Sequence, residues 1–283
     1  MKYNKILLII VLIIVLIAMS YYNIKLYENF QSTSKNLVYY THGFSNKFLD
    51  LLELSIRSLR LQNNNDVVVI CDESFVDDCK NKLKNYTNIF IHVVKDSKSA
   101  HEASMNKLKI FDYENINNYN KILFIDSDII VHTNLISIFN NINDDNILYV
   151  KKESDNFDDH TAIYWSLKLY TDEDLNNFKL KNIHIFNCGQ FGFINSESMK
   201  IHFNNINIMI NTHKGESFYE QSFMNHYFNL NQLKNETVLE EKVKLFPEKN
   251  VNYEDKIIHF CGLRETGSKM DDMLTYYDNY VNI

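Results

Sequence analysis

Two aspartates spaced two residues apart, Asp126 and Asp128, directly follow the apolar run ILFI at positions 122–125. Side chains two apart in an extended chain point to the same side, so both carboxylates can face one ligand. Carboxylate oxygens suit Mg²⁺ or Mn²⁺, and such an ion can hold a diphosphate and neutralise its charge. The pair alone is equally typical of turns and helix caps, so its meaning depends on the surrounding chain.

Two other kinds of metal site find no support in the sequence. An EF-hand calcium loop is excluded because Ile130 occupies the third ligand position, and the loop lacks the required Gly and closing Glu. A structural zinc site is disfavoured because the four cysteines contain no CxxC pair. They are Cys71, Cys79, Cys188 and Cys261.

The chain around the aspartates alternates between apolar runs and amphipathic segments. Strands are predicted at 37–41, 66–72, 89–95 and 121–131, and helices at 48–62, 74–86 and 104–119. Further strands are predicted at 146–152, 185–195 and 256–260, with a helix at 219–228. This alternation favours an α/β fold with a mostly parallel sheet, in which ligands bind at the carboxyl ends of the strands. We expect one catalytic domain over 37–283.

The N-terminus predicts a membrane anchor. Residues 6–19 form an unbroken apolar run that Lys2 and Lys5 precede, and Tyr21 and Tyr22 suit a membrane interface. We therefore expect a cytosolic tail at 1–5, a transmembrane signal-anchor at 6–22 and a polar stem at 23–36. A cleaved signal peptide and a buried helix are the alternatives.

This topology makes the chain a single-pass type II membrane protein, with its catalytic domain lumenal or extracellular; cleavage of the segment would instead give a secreted protein. The sequons at Asn85 and Asn235 fit that side of a membrane, although an Asn-rich chain produces sequons by chance. The formal net charge of −7 offers no basic face, so no nucleic-acid partner is expected.

Four segments resemble motifs of one enzyme family, and they occur in that family's order. Residues 104–131 (SMNKLKIFDYENINNYNKILFIDSDIIV) resemble the donor-binding core of glycogenin-like enzymes, glycosyltransferase family eight. FNCGQFGFIN at 186–195 is similar to the family's FNSGVM segment, YEQSFMNHYF at 219–228 to its DQxxLNxxF segment, and IIHFCG at 257–262 to its HFxG segment. The resemblance implies a Rossmann-like GT-A fold and a metal-dependent hexosyltransferase that retains the anomeric configuration.

The resemblance also implies residue roles. Asp126, Asp128 and His259 would bind the metal, Mn²⁺ or Mg²⁺. Glu220 and Gln221 would lie under the sugar, where they position the acceptor or stabilise a cation-like sugar. The donor, a UDP-hexose, would contact Tyr40, Thr41, Lys98, Lys107, Asp126, Ser127, Asn187, Gly189, Gly262 and Lys269.

Several positions depart from the family pattern. The family usually has Asp where Glu220 stands, and the glycogenin Lys-Pro-Trp after HFxG is missing, so glycogenin's self-glucosylation is not expected. Lys269 lies further beyond the HFxG segment than the Lys of the family pattern, and Arg264 is the alternative residue that could contact the donor phosphate.

Two other functions remain open from sequence. An inactive GT-A scaffold that only binds sugar or partners would be expected to lose metal ligands, which this chain keeps. A nucleotidyltransferase normally needs a Gly-rich phosphate loop near the first strand, where only Gly43 occurs. The acceptor, a glycan or a protein, is not readable from the residues.

Overall fold

The structure is a computed structural model that describes residues 35–154, 169–181, 183–213, 219–262 and 266–282, together with Ile13, Val15 and Met19. The chain divides into two compact units, Met1–Lys35 and Asn36–Ile283. Apart from those three helical residues, the predicted anchor at 6–22 lies outside the described residues. In the part of the chain that is described, no helix is both long enough and apolar enough to cross a bilayer.

A seven-stranded sheet forms the centre of the larger unit, in the order β3-β2-β1-β4-β7-β6-β8. Its strands are β1 (Lys35–His42), β2 (Asp66–Asp72), β3 (Ile89–Val94), β4 (Tyr119–Ile125), β6 (Leu148–Ser154), β7 (Ile185–Ile194) and β8 (Lys234–Asn235). A second sheet, β5-β10-β9, contains β5 (Ile129–His132), β9 (Val243–Leu245) and β10 (Lys256–His259).

The central sheet is mixed: the predicted parallel pairing is found along most of it, and one strand, β7, departs from it. β1, β2 and β3 pair in parallel, but β7 runs antiparallel to both of its neighbours, β4 and β6. Every residue of β7 is buried. A strand that is apolar on both faces looks the same in sequence whichever way it runs, so its direction could not be read.

The helices are α1 (Leu49–Arg60), α2 (Val76–Leu83), α3 (Ala100–Ser104), α4 (Ile136–Asn141), α5 (Asp172–Leu180), α6 (Glu197–Thr212), α7 (Glu220–Leu230), α8 (Thr237–Glu240) and α9 (Thr266–Tyr276). They cover both faces of the central sheet. One apolar cluster joins the sheet to α6 and α7, and the other joins it to α1 and α2. Such a three-layer arrangement buries both faces of the strands.

The predicted helix at 104–119 is a different structure. Its first part is a 3-10 helix over Met105–Asp112, preceded by the short α3, and a 3-10 turn covers Ile116–Asn118. Helix α6 was not predicted from the sequence. Its Asn-rich sequence hides the apolar spacing, yet Met199, Phe203 and Ile206 pack inward, and the Ser196 hydroxyl accepts a hydrogen bond from Met199 N as an N-cap.

Candidate functional site

The Asp126–Asp128 turn is held on two sides by backbone hydrogen bonds. Asp126 N donates to Gly189 O on β7 at 2.7 Å, and Phe260 N, after β10, donates to Asp128 O at 3.0 Å. The turn leads from β4 into β5, and β5 pairs with β10 so that Ile129 faces His259. The fold therefore places three distant parts of the sequence around two carboxylates.

Asp126, Asp128 and His259 meet as a candidate metal centre. Each offers one ligand atom, and these atoms lie within 4.8 Å of one another. His259 Nε2 is 3.1 Å from Asp128 Oδ1. The other ring nitrogen, Nδ1, is buried and has no hydrogen-bond partner among the described residues. Two carboxylates and an imidazole with an unengaged nitrogen fit a divalent cation such as Mn²⁺ or Mg²⁺.

Gly189 makes room for this arrangement. A Cβ at Gly189 would lie 2.1 Å from His259 Cε1 and 2.9 Å from Asn187 Oδ1. Any side chain would therefore displace the histidine. The same Asn187 oxygen accepts a hydrogen bond from Gly189 N at 2.8 Å, which fixes this stretch of β7 beneath the ring. Glycine in a strand interior often marks such a close approach.

Lys107 lies on the other side of the turn and is only 6% exposed. Its Nζ lies 2.6 Å from Glu220 Oε1, 3.2 Å from Asp126 Oδ1 and 3.2 Å from Cys188 O. Burial opposes its charge, but the carboxylates of Asp126 and Glu220 outweigh that effect and raise the pKa of Lys107. The ammonium therefore binds Glu220 to the acidic turn.

Lys269 on α9 pairs with the second aspartate, its Nζ 2.6 Å from Asp128 Oδ2. Burial disfavours the charge of Asp128, yet His259 and Lys269 hold its pKa well below the usual range. Burial raises the pKa of Asp126 to about 6, against the opposing charge of Lys107. The two carboxyls of the turn therefore differ in pKa: that of Asp126 is raised and that of Asp128 is lowered.

Glu220 and Gln221 open helix α7, and both face the centre of the site. Glu220 makes the ion pair with Lys107 described above. Gln221 Oε1 accepts a hydrogen bond from Cys188 N at 2.9 Å. The structure therefore brings together eight of the predicted site residues: Lys107, Asp126, Asp128, Asn187, Gly189, Glu220, Gln221 and His259. Lys269 joins them from α9.

Glu153 belongs to the same neighbourhood and was missed from sequence. Asn187 Nδ2 donates to its Oε2 at 2.9 Å. Burial raises the pKa of Glu153, although the Asn187 hydrogen bond and the charge of His259 oppose the shift. Its position at the end of β6 is the signal that could have found it, since polar side chains at strand ends line the site edge of such sheets.

Of the remaining predicted residues, Ser127 lies in the Asp126–Asp128 turn itself, and the others have contacts of their own. Tyr40 is fully buried in the core, where its hydroxyl accepts from Ser55 Oγ at 3.2 Å. Thr41 and Ser127 are half-buried, and Lys98 is exposed. Gly262 has a φ of +113°, a conformation that favours glycine.

Comparison with solved structures gives consistent matches, whereas no protein-family model and no curated protein matches the sequence. The galactosyltransferase LgtC, solved with donor and acceptor sugar analogues, superposes with a TM-score of 0.58 over 87% of this chain and 97% of LgtC, at 12% identity. The bifunctional glycosyltransferase WbbM gives 0.57 over 88% of this chain and 50% of WbbM, at 17% identity. The glycosyltransferase GlyE of Streptococcus pneumoniae gives 0.52 over 88% and 65%, at 12% identity.

The chain has the GT-A fold. Its mixed seven-stranded sheet with helices on both faces is the arrangement shared with these enzymes. The chain spans half the length of WbbM, so the likeness concerns one part of that protein. Within this GT-A domain, the Asp-Asp-His group occupies the edge where strands of the sheet end.

Proposed function

We propose that this protein transfers a hexose from a nucleotide sugar, a UDP-sugar, to an acceptor hydroxyl. The observation that carries the proposal is the convergence of Asp126, Asp128 and His259, whose ligand atoms lie within 4.8 Å of one another. A fold shared with glycosyltransferases does not by itself imply activity. An intact set of ligands from two sheets, built around a glycine that makes room for the histidine, favours an enzyme over an inactive scaffold.

Asp126, Asp128 and His259 would hold Mn²⁺ or Mg²⁺, which when bound neutralises the charge that develops on the diphosphate. Lys269 supports the same leaving group. Its ammonium lies 2.6 Å from Asp128, so it is within reach of anions held at that carboxylate. Arg264, its rival in the sequence analysis, lies outside the described residues.

Glu220 and Gln221 serve the sugar. Lys107 holds the Glu220 carboxylate and Cys188 N holds the Gln221 amide oxygen, so both side chains are fixed before a donor binds. Groups that are positioned in advance cost no reorganisation during the reaction. The bond from the anomeric carbon to the diphosphate oxygen breaks, the acceptor oxygen attacks from the same face, and its proton leaves with the diphosphate. This retention follows the resemblance to glycosyltransferase family eight, which we propose as the family.

Activity with a panel of donors tests this function. Full-length protein with Mn²⁺ is mixed with UDP-, GDP- and CMP-sugars, and released nucleotide is measured with and without simple sugar acceptors. We expect UDP release from at least one UDP-hexose, and product analysis by mass then names the sugar. Silence with every donor and acceptor, from folded protein that binds Mn²⁺, would overturn the proposal.

We propose further that residues 6–22 anchor the chain, with the catalytic domain lumenal or extracellular. The support is the apolar run at 6–19 behind Lys2 and Lys5. After expression in cells, the protein should resist alkaline extraction from membranes, and the domain should be protected from protease in sealed vesicles. Release of the full-length chain by alkaline buffer would contradict the anchor.

A further inference from the structure

The middle of β7 lacks strand partners where it passes the candidate site. Along β6, Val150 pairs with Phe191 but the next residue, Lys151, pairs with Asn187. Three residues of β7 therefore bulge away from β6. On the other side, the pairing with β4 ends at Gln190. The polar backbone groups of this stretch must find other partners, because unpaired buried groups are costly.

Side chains supply those partners. Lys107 Nζ donates to Cys188 O, and Gln221 accepts from Cys188 N. Phe186 lies beside the bulge and is paired with Lys152 of β6, but not with β4. Its N–H donates to Asn225 Oδ1 at 3.0 Å, and Asn225 Nδ2 donates back to its carbonyl at 2.9 Å. Asn225 thus takes the place of a neighbouring strand for Phe186.

Asn225 also holds its own helix. Its Nδ2 donates to Gln221 O at 3.0 Å, one turn back in α7. Gln221 and Asn225 lie four residues apart, on one face of the helix. Two amide side chains therefore fix α7 along β7, at Phe186 and at Cys188 in the bulge, on either side of Asn187 and next to Gly189. Asn225 is 1% exposed, and its donors and acceptor are all engaged.

We propose that Asn225 is a positioning residue for sugar transfer: it fixes α7 against β7 beside the bulge and so sets Glu220 and Gln221 relative to the metal centre. This inference rests on the proposed function. Asn225 makes no hydrogen bond to a metal ligand or to Lys107. Its effect on turnover must therefore pass through the placement of α7, where a misplacement of about 1 Å can cost roughly 100-fold in rate.

The test compares Asn225→Leu, close in shape but unable to hydrogen-bond, with Ile206→Ala on α6. Ile206 is fully buried in the same apolar cluster and makes no polar side-chain contact, so it controls for lost stability. Thermal unfolding, donor KM and kcat are measured for both variants at a temperature where each is folded. We expect kcat to fall about 100-fold in Asn225→Leu with donor KM nearly unchanged, whereas Ile206→Ala keeps the wild-type kcat.

A second measurement does not depend on activity. Amide hydrogen exchange over residues 185–190 should become faster in Asn225→Leu but not in Ile206→Ala, because Phe186 N loses its acceptor. Should Asn225→Leu fail to fold, Asn225→Ser replaces it, since the shorter hydroxyl cannot bridge both Phe186 groups. A wild-type kcat in the folded variant, or unchanged exchange, would overturn the inference. A wild type that exchanges as expected yet transfers no sugar would instead overturn the proposed function.

Discussion

Asp72 ends strand β2 and Asp128 follows strand β4 of the central sheet, two strands that β1 separates, but the groups that contact the two carboxylates differ. Asp72, at the end of β2, is fully buried and accepts four hydrogen bonds from neutral donors. These come from Phe44 N at 2.9 Å, Ser97 N at 2.9 Å, Ser97 Oγ at 3.1 Å and Asn106 Nδ2 at 2.9 Å. Gly43 packs so closely that a Cβ there would lie 2.4 Å from Asp72 Oδ2.

Asp128, after β4, instead meets two groups that can carry positive charge, His259 and Lys269. One of them, Lys269, reaches Asp128 from α9. The four fixed donors around Asp72 leave no room for a ligand, so that carboxylate holds loops together. The two aspartates are the same residue type, so in this fold the charge and kind of the partners distinguish the candidate ligand from the structural carboxylate.

The largest expected effect is on activity, from Asp128→Asn. The amide cannot supply the anionic ligand, and a loss of ~3 kcal/mol of charge stabilisation lowers turnover about 100-fold. The variant should remain folded but lose the rise in unfolding temperature that Mn²⁺ with UDP gives the wild type. A retained Mn²⁺-dependent rise would show that Asp128 is not a ligand and would remove the contrast with Asp72.

Lys107→Met should produce the largest loss of stability in the cluster. Glu220, which is 4% exposed, would lose the cation that it is paired with, and breaking such a buried pair costs about 3–5 kcal/mol. Urea unfolding measures the loss. The double variant Lys107→Met with Glu220→Met removes both charges, so it should regain part of that stability while staying inactive. If the double variant is no more stable than Lys107→Met, the lost stability does not come from breaking the Lys107–Glu220 ion pair.

The sequence predicted both the GT-A fold and the grouping of three distant residues, which the structure brings together. Asp126, Asp128 and His259 were found because motif order survives where identity is low. Asn225 lies in the segment matched to DQxxLNxxF, but its role was missed because it depends on the course of β7, and register shifts leave no periodic signal in sequence. Glu153 was missed although its place at the end of β6 is a signal for site residues. Tyr40 was predicted to contact the donor, but its side chain lies in the core. Successive side chains of a strand point to opposite faces of the sheet, so an error of one residue exchanges a site position for a core position.

Asp72→Asn should lower stability without removing the metal response. Two hydrogen-bond donors face each carboxylate oxygen of Asp72. Asparagine replaces one of these oxygens with an NH₂ group, which cannot accept, so at least one buried donor loses its acceptor at a cost of about 3 kcal/mol. Asp96→Asn is the matched control, since the Asp96 carboxylate accepts from Ser74 N at an exposed position. Asp72→Asn should lower the unfolding temperature much more than the control, and both should still respond to Mn²⁺ with UDP. A lost response in Asp72→Asn would mean that the two aspartates are not separate in function.

Glu153→Gln should change how stability depends on pH. Burial raises the pKa of Glu153 above its ordinary value of 4.5. A carboxyl with a raised folded pKa contributes stability that is present below the unfolded pKa and lost as the pH rises through the folded one. Glutamine does not titrate, so in EDTA the variant should match wild type near about pH 4 and be more stable near about pH 8. Equal stability at both values would mean that Glu153 ionises without cost.

The smallest expected effect concerns Gln190, which lies in β7 opposite Ile125. Its side chain is fully buried, and neither amide atom has a hydrogen-bond partner among the described residues. A buried amide without partners costs free energy, so Gln190→Met, of similar length, should stabilise the domain by about 1 kcal/mol. Thermal unfolding without metal measures the change, with Asn225→Met as the contrasting case that should destabilise. A fall in stability for Gln190→Met would instead mean that a buried water satisfies the amide, and Gln190 would then resemble Asp72: a polar group whose partners are complete.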